Sequence, residues 1–351
     1  MGTVVVTGAD TPLGERVVGL LSADPTVDGV VILAEGAVPG PAGVEVRRAD
    51  LLADDLKPHL EDTAALVHLA VSEPASPLAP THDVDVARHV LDAAGSAGVP
   101  HVVLLSSATV YGAWPNNPVP LTEAATLRPN PGFAFAAERA EIERLAGEWR
   151  DDHPGSTVTV LRPVRCAAVD LADWLVTALH PVPAVPENAD EPPVQFVHLD
   201  DLAAAVDLGR RQRLDGAFNV APDGSIPGDQ VRSLTGAPLK VALPERLAGR
   251  LVSWRFRWGI GQTPPELLAY TLHPWVVAND RLRAAGWSAT VTNEEACVDA
   301  HEAGRWATMS PRRRQELALG GAAVAVLGLA AGGTLLVRRW LRRRGGPVDD
   351  G

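Results

Sequence analysis

With 351 residues, 46% of them hydrophobic, the chain is long enough for one large or two small domains and a substantial core, which excludes global disorder. Two distant cysteines, Cys166 and Cys297, exclude a disulfide framework and a cysteine-rich zinc site, no histidine or acid spacing suggests another metal, and a reducing compartment fits. The net charge of −12 hides an asymmetry: from position 311 onward eight arginines face only Glu316, Asp349 and Asp350, while the remainder holds 23 basic against 40 acidic residues and so would repel nucleic acid.

The apolar run at 4–7 predicts a first strand with no signal peptide ahead of it. The segment TGADTPLG (7–14) then turns into a helix predicted over 13–23. Gly8 permits the tight turn and Gly14 close packing of helix on strand, while the middle glycine of the pattern is Thr11. Such a turn aims backbone N–H groups and a helix N-terminus at a pyrophosphate. Gly8, Asp10, Thr11, Leu13 and Gly14 are therefore candidate cofactor-binding residues, the plainer alternative being a strand–helix turn without ligand.

VVIL (30–33) predicts the second strand, and Glu35 at its end is the acid expected on a ribose, favouring NAD over NADP; Ala34 is the other position that could align. A third strand leads into RRADLL, where Asp50, with Leu51 beside it, would meet the adenine amino group. ALVHLA (65–70) is the fourth strand and ends on Leu69 and Ala70. After a helix over 84–94, halted by 95–100, HVVLLSS (101–107) delivers Ser106 and Ser107. STVTVLRP (156–163) brings Arg162 and Pro163, and VQFVHL (194–199) is a further strand.

This alternation implies an α/β fold, a doubly wound parallel sheet of Rossmann type with helices on both faces. Residues 1–165 form the predicted dinucleotide-binding core, to which 194–222 return. Residues 166–193 and 223–310, rich in Pro, Gly and Trp, form a small substrate-side lobe. His68 and His198 fall near the sheet's carboxyl edge, where either an acid/base or a hydrogen-bonded core role is open. Asp200 and Asp201 suit a helix cap, and Cys166 a buried thiol. Trp254, Trp258, Trp275 and Trp287 fit core packing, an apolar pocket, or a surface facing a membrane or partner.

Residues 311–351 form a basic-flanked tail. Within it, 317–337 carry no charge over 21 residues, enough for a transmembrane helix of roughly 30 Å. Arg312 to Arg314 precede it, and Trp340 stands beyond it like an interfacial anchor among five arginines. The expectation is a single-pass C-terminal anchor in the cell membrane with the body on the cytoplasmic side, although the heavier arginine cluster after the span opposes that orientation. Gly328 and Gly332 form a small-xxx-small pair.

Seven segments in order resemble the extended short-chain dehydrogenase/reductase family, the NAD-dependent epimerase/dehydratase group, over roughly residues 3–300: TGADTPLG (7–14), ADLLAD (49–54), VHLA (67–70), LLSSATVYG (104–112), LRPV (161–164), FVHLDDLA (196–203) and FNVA (218–221). The resemblance implies NAD or NADP as cofactor and a small-molecule substrate such as a nucleotide sugar, with a homodimer left open. It also implies a tyrosine acid/base, a lysine four residues on, a serine and an asparagine.

Ser107 stands at the serine. In NPGFAFAAERAEIERL (130–145), Phe133 replaces the tyrosine and Ala137 the lysine, and Asp83 stands near the asparagine. The two tyrosines of the chain, Tyr111 and Tyr270, are followed four residues on by Pro115 and Pro274. Positioned acid/base catalysis is typically worth ~10²–10⁴ in rate. The expectation is a membrane-tethered NAD(P)-binding protein with impaired or absent redox activity. The competing expectations are an enzyme using Ser107 with His68, His198 or water, and a scaffold without cofactor.

Overall fold

A computed structural model describes residues 2–301 except 37, 39, 73–78, 169–173, 180–183, 187–190, 236–240 and 259–262. Its strands are β1 Thr3–Thr7, β2 Gly29–Ala34, β3 Glu45–Arg48, β4 Thr63–His68, β5 His101–Leu105, β6 Thr157–Pro163, β7 Arg165–Ala167, β8 Ala184–Pro186, β9 Phe196–His198, β10 Gly216–Val220 and β11 Val241–Leu243. Helices α1 Pro12–Ala23, α2 Lys57–Leu60, α3 Asp83–Ala97, α4 Ala134–Asp152, α5 Trp174–Ala178, α6 Leu199–Gln212, α7 Gly228–Thr235 and α8 Glu245–Arg257 connect them, with shorter turns beyond.

Seven strands form one sheet in the order β10-β6-β5-β4-β1-β2-β3, and every neighbouring pair is parallel. The apolar strand sequences follow from burial on both faces. Val4 and Val6 join Val30, Ile32, Val67 and Leu161 in the core layer shared with α1 and α6. Val5 alternates to the opposite layer with Val31, Leu66, Val102 and Val160, covered by α3 and α4. Strand order reverses between β1 and β4, which opens a crevice at their carboxyl ends, where open α/β sheets take ligands.

The predicted strand at 194–199 shortens to β9 and pairs with β7 in a separate small sheet. The return to the main sheet is made by β10, through FNV. Residues Met1–Glu302 cluster as one unit, so the substrate-side segments pack onto the core as part of it. No helix among the described residues is long and apolar enough to cross a membrane. The expected span at 317–337, with its arginine flanks and the Gly328/Gly332 pair, lies outside the described residues.

Candidate functional site

The loop between β1 and α1 is held by packing that only glycine permits. Gly8 has φ +72°, and a Cβ there would stand 2.5 Å from the Ala70 amide nitrogen. A Cβ on Gly14 would stand 2.2 Å from the Gly8 carbonyl oxygen. Thr11 is the N-cap of α1: its hydroxyl accepts from the Gly14 N–H at 3.0 Å and donates to the Gly8 carbonyl at 2.8 Å. A glycine here would leave the Gly14 N–H for a ligand, and Pro12 has no N–H to offer. Of the first amides of α1, Leu13's remains without a partner among the described residues and is the one left for an anion.

Two clefts flank this loop and meet at Thr11, Val71 and Ser72. The first, of about 680 Å³, is lined by Gly8, Asp10, Glu35, Asp50, Leu51 and Ala70 among others, all of them cofactor-binding candidates of the sequence. It also holds Arg48, a residue the sequence reading did not single out, whose Nε donates to the Glu35 carbonyl at 2.8 Å. Parallel pairing of β2 with β3 sets Ala34 opposite Arg48 and so brings acid and guanidinium together. Asp50 accepts from the Leu52 and Ala53 amides through Oδ1, which fixes the carboxylate at the rim.

The second cleft, of about 360 Å³, is lined by the predicted Leu13, Leu69, Ser106, Ser107 and Pro163. Phe135, Trp174, Leu175 and Cys166 complete its wall, and among its described lining residues Cys166 carries the single titratable side chain. Ser107 caps a 3-10 turn at Ala108–Tyr111, accepting from the Thr109 N–H at 3.2 Å and hydroxyl at 2.9 Å. Its capping role and its place on the cleft wall therefore coexist.

Helix α4 places Phe133 and Ala137 off both clefts. Phe133 is its N-cap and is buried away from the cleft, edge-on to Tyr270 at 5.2 Å, while Ala137 is exposed. The residues that face inward are Phe135, on the cleft wall, and Arg139 one turn later, 2% exposed. Arg139 lies over the Phe135 ring at 5.0 Å and forms a buried ion pair with Asp83 at the start of α3. Asp83 also accepts from the Ser72 N–H at 3.0 Å, which ties the pair to the junction of the two clefts.

Arg162, a candidate at the end of β6, sits in a buried network instead of on a cleft wall. Its Nη2 lies 2.5 Å from the Glu143 carboxylate of α4, its Nη1 donates to the Tyr111 hydroxyl at 2.6 Å, and it lines neither cleft. Burial opposes its charge, yet Glu143 and Tyr111 outweigh that and hold its pKa above the usual guanidinium value. Ser106 donates to the same carboxylate at 2.5 Å, so its side chain belongs to this buried network and only its flank meets the cleft. Gly14 lies beneath the loop rather than on a cleft wall.

His68, His198, Asp201, Tyr111 and Tyr270 line neither cleft. His68 is sealed, its Nδ1 2.7 Å from the Thr7 hydroxyl, and burial with Arg139 nearby pushes its pKa down to about 4. His198 caps α6 by accepting from the Asp200 N–H at 3.2 Å and lines neither cleft. Asp201 is tied to Thr290 and Val291. Tyr111 donates to Asn219 at 2.8 Å and burial pushes its hydroxyl up to about 12. Tyr270 donates to the Thr109 carbonyl at 2.8 Å, and burial raises its pKa too.

The sequence matches the profile of the family described as NAD dependent epimerase/dehydratase over residues 4–221. The uncharacterized protein Rv0501 of Mycobacterium tuberculosis is 25% identical over 315 residues, covering 84% of this chain and 82% of its own. Among solved structures, MoeE5 in complex with UDP-glucuronic acid and NAD superposes with a TM-score of 0.63 at 20% identity, over 85% of this chain and 97% of that one. UDP-N-acetylglucosamine 4-epimerase from Bacillus cereus gives 0.61 at 17% identity, over 86% and 98%. The NAD complex of Thermus thermophilus UDP-glucose 4-epimerase gives 0.60 at 20% identity, over 87% and 100%. At these identities the likeness is one of fold.

Proposed function

Because the chain belongs to the NAD dependent epimerase/dehydratase family, we propose that its two-lobed groove binds a nicotinamide dinucleotide, NAD or NADP, and that the family's usual proton transfer is impaired or absent. The carrying observation is the contrast between the two clefts joined at Thr11: one offers Glu35, Arg48 and Asp50, while among the described residues lining the other Cys166 is the single titratable group. The fit to a dinucleotide rests on the Gly8 and Gly14 cradle, which a Cβ would fill, and on the unpaired Leu13 amide at the groove's waist.

In this reading the Leu13 N–H receives the diphosphate, Glu35 or Arg48 meets the adenosine ribose or its 2′-phosphate, and Asp50 orients the adenine. The nicotinamide, when bound, supplies hydride chemistry. The chain surrounds it with Leu69, Phe135 and Pro163 and with the Ser107 hydroxyl. Phe135 and Arg139 are the residues we assign to the family's tyrosine and lysine positions. They are four apart, both buried, and Arg139 is paired with Asp83, near where the resemblance expects the asparagine. Phenylalanine has no proton to give, and an arginine held by Asp83 keeps the positive charge without a tyrosine to act on.

The substrate side, 166–193 and 223–310, is assigned a small molecule such as a nucleotide sugar, since the structural neighbours include nucleotide-sugar epimerases. The uncharged run at 317–337 is assigned as a single-pass anchor with the body on the cytoplasmic face. Calorimetric titration of the full chain in detergent with NAD, NADH, NADP and NADPH tests the central point. Dinucleotide at 100 times its Kd should stabilise the fold by ~2.7 kcal/mol. A flat response to all four forms removes the proposal and leaves a scaffold.

A further inference from the structure

Four tryptophans of the substrate-side region, Trp254, Trp258, Trp275 and Trp287, divide sharply. Trp275 and Trp287 are each 5% exposed and belong to the core, whereas Trp254 is 51% exposed and Trp258 69%. The two exposed indoles lie 6.4 Å apart, one in α8 and one at its C-cap. Ala248 and Val252 anchor the helix to the body. On the opposite side, Leu247, Arg250, Trp254 and Trp258 follow one another at spacings of three and four residues and form a single exposed face, with Arg257 on its flank.

Charge sharpens the pattern. The helix sequence carries Arg246, Arg250, Arg255 and Arg257 against Glu245, in a body that up to residue 310 holds 23 basic and 40 acidic residues. A local excess of arginine beside exposed indoles, on a protein otherwise strongly acidic, complements an anionic lipid surface. Arginine meets the headgroup charge, while tryptophan settles at the apolar–polar boundary. The chain supplies a second cue: residues 302–316 alone separate the described body from the uncharged run, at most ~50 Å of extended chain.

From this we infer that α8 is a membrane-surface helix, which lays Trp254 and Trp258 into the headgroup region of an anionic leaflet and holds the substrate side of the body against it. The inference draws on the tail anchor proposed above but can fail or survive separately. The test is hydrogen exchange on the full chain, reconstituted in vesicles of phosphatidylcholine alone or mixed with phosphatidylglycerol. Amides of residues 247–258 should exchange roughly tenfold more slowly in the mixed vesicles, an effect reversed by high salt. Trp254→Ser with Trp258→Ser should erase the difference without altering exchange in the core strands.

Equal exchange of this peptide in both lipids overturns the inference. So does protection that follows protein concentration at fixed lipid, which would make a second copy of the chain the occupant. If alkaline carbonate extracts the chain while the lipid-dependent protection persists, the tail anchor falls and the surface helix stands.

Discussion

The two ends of the groove were built under different demands. The cleft bounded by Glu35, Arg48 and Asp50 is polar and fixed by backbone geometry: parallel register sets Arg48 beside Ala34, and Asx-type bonds hold Asp50. The cleft bounded by Ser107, Phe135 and Trp174 is apolar among the described residues, and the carboxylates bonded to its wall residues Ser72 and Ser106 are held in two buried pairs, Asp83–Arg139 and Glu143–Arg162. In the proposed function the fold keeps its binding half while its chemical half is rebuilt as packing, because binding uses backbone amides and strand ends whereas proton transfer needs particular side chains.

The largest expected effect tests that rebuilding. Asp83→Ala leaves Arg139 charged and unpaired in the interior and should cost about 3–5 kcal/mol of stability in denaturant melts. A loss under 1 kcal/mol would mean the pair is solvated and the contrast between the clefts overstated.

Acid should act through the buried histidines. His68 and His101 are both depressed from 6.5 to about 4, chiefly by burial. A depressed histidine stays neutral in the folded chain, while the unfolded chain takes up its proton once pH drops below 6.5. Their contribution is therefore intact above pH 6.5, declines as pH falls toward 4, and levels off below it. The decline should reach about 3 kcal/mol for each. Urea melts at stepped pH give the profile, and constant stability across that window would show that water reaches these rings.

Restoring the proton donor probes the chemical half directly. Phe135→Tyr with Arg139→Lys should raise residual hydride exchange roughly 10²-fold, at the low end for a positioned acid/base. Phe133→Tyr with Ala137→Lys should leave it unchanged, since Phe133 faces Tyr270 and Ala137 faces solvent. The reverse ranking would return the site to the register read from sequence.

On the binding side, Gly14→Ala forces a Cβ to within 2.2 Å of the Gly8 carbonyl and should cost about 1–3 kcal/mol and abolish the thermal response to dinucleotide. The smallest effect concerns cofactor choice. Arg48→Ala should weaken NADP about tenfold and NAD much less, because a charge-assisted bond to the 2′-phosphate is lost. Equal weakening of both would assign Arg48 to bracing the Glu35 loop alone.

Much of the fold was legible in the sequence. Continuous apolar strands such as 4–7 and 101–105 require cover on both faces, and two glycines six residues apart at the end of the first strand define a turn that few other backbones can make. The placement of Glu35, Asp50 and Ser107 on cleft walls was legible for the same reason, since each lies within two residues of a strand's end. The α4 residues were harder. Phe133 and Phe135 differ by two positions, a rotation of about 200° on a helix, and the string NPGFAFAAERA does not say which ring faces the cleft. That was decided by the turn from Asn130 to Phe133 that leads into the helix, and by Asp83 on another element claiming Arg139.

Arg162 was equally ambiguous as a sequence letter, since its partner Glu143 lies 19 residues away on α4. Local pattern determined the strands, the glycine turn and the absence of a Tyr-x-x-x-Lys pair, because those depend on neighbours along the chain. Tertiary structure decided which charges are consumed in the core, which ring lines the cleft and which tryptophans stay exposed, because burial is a property of what packs across, and no residue carries it alone.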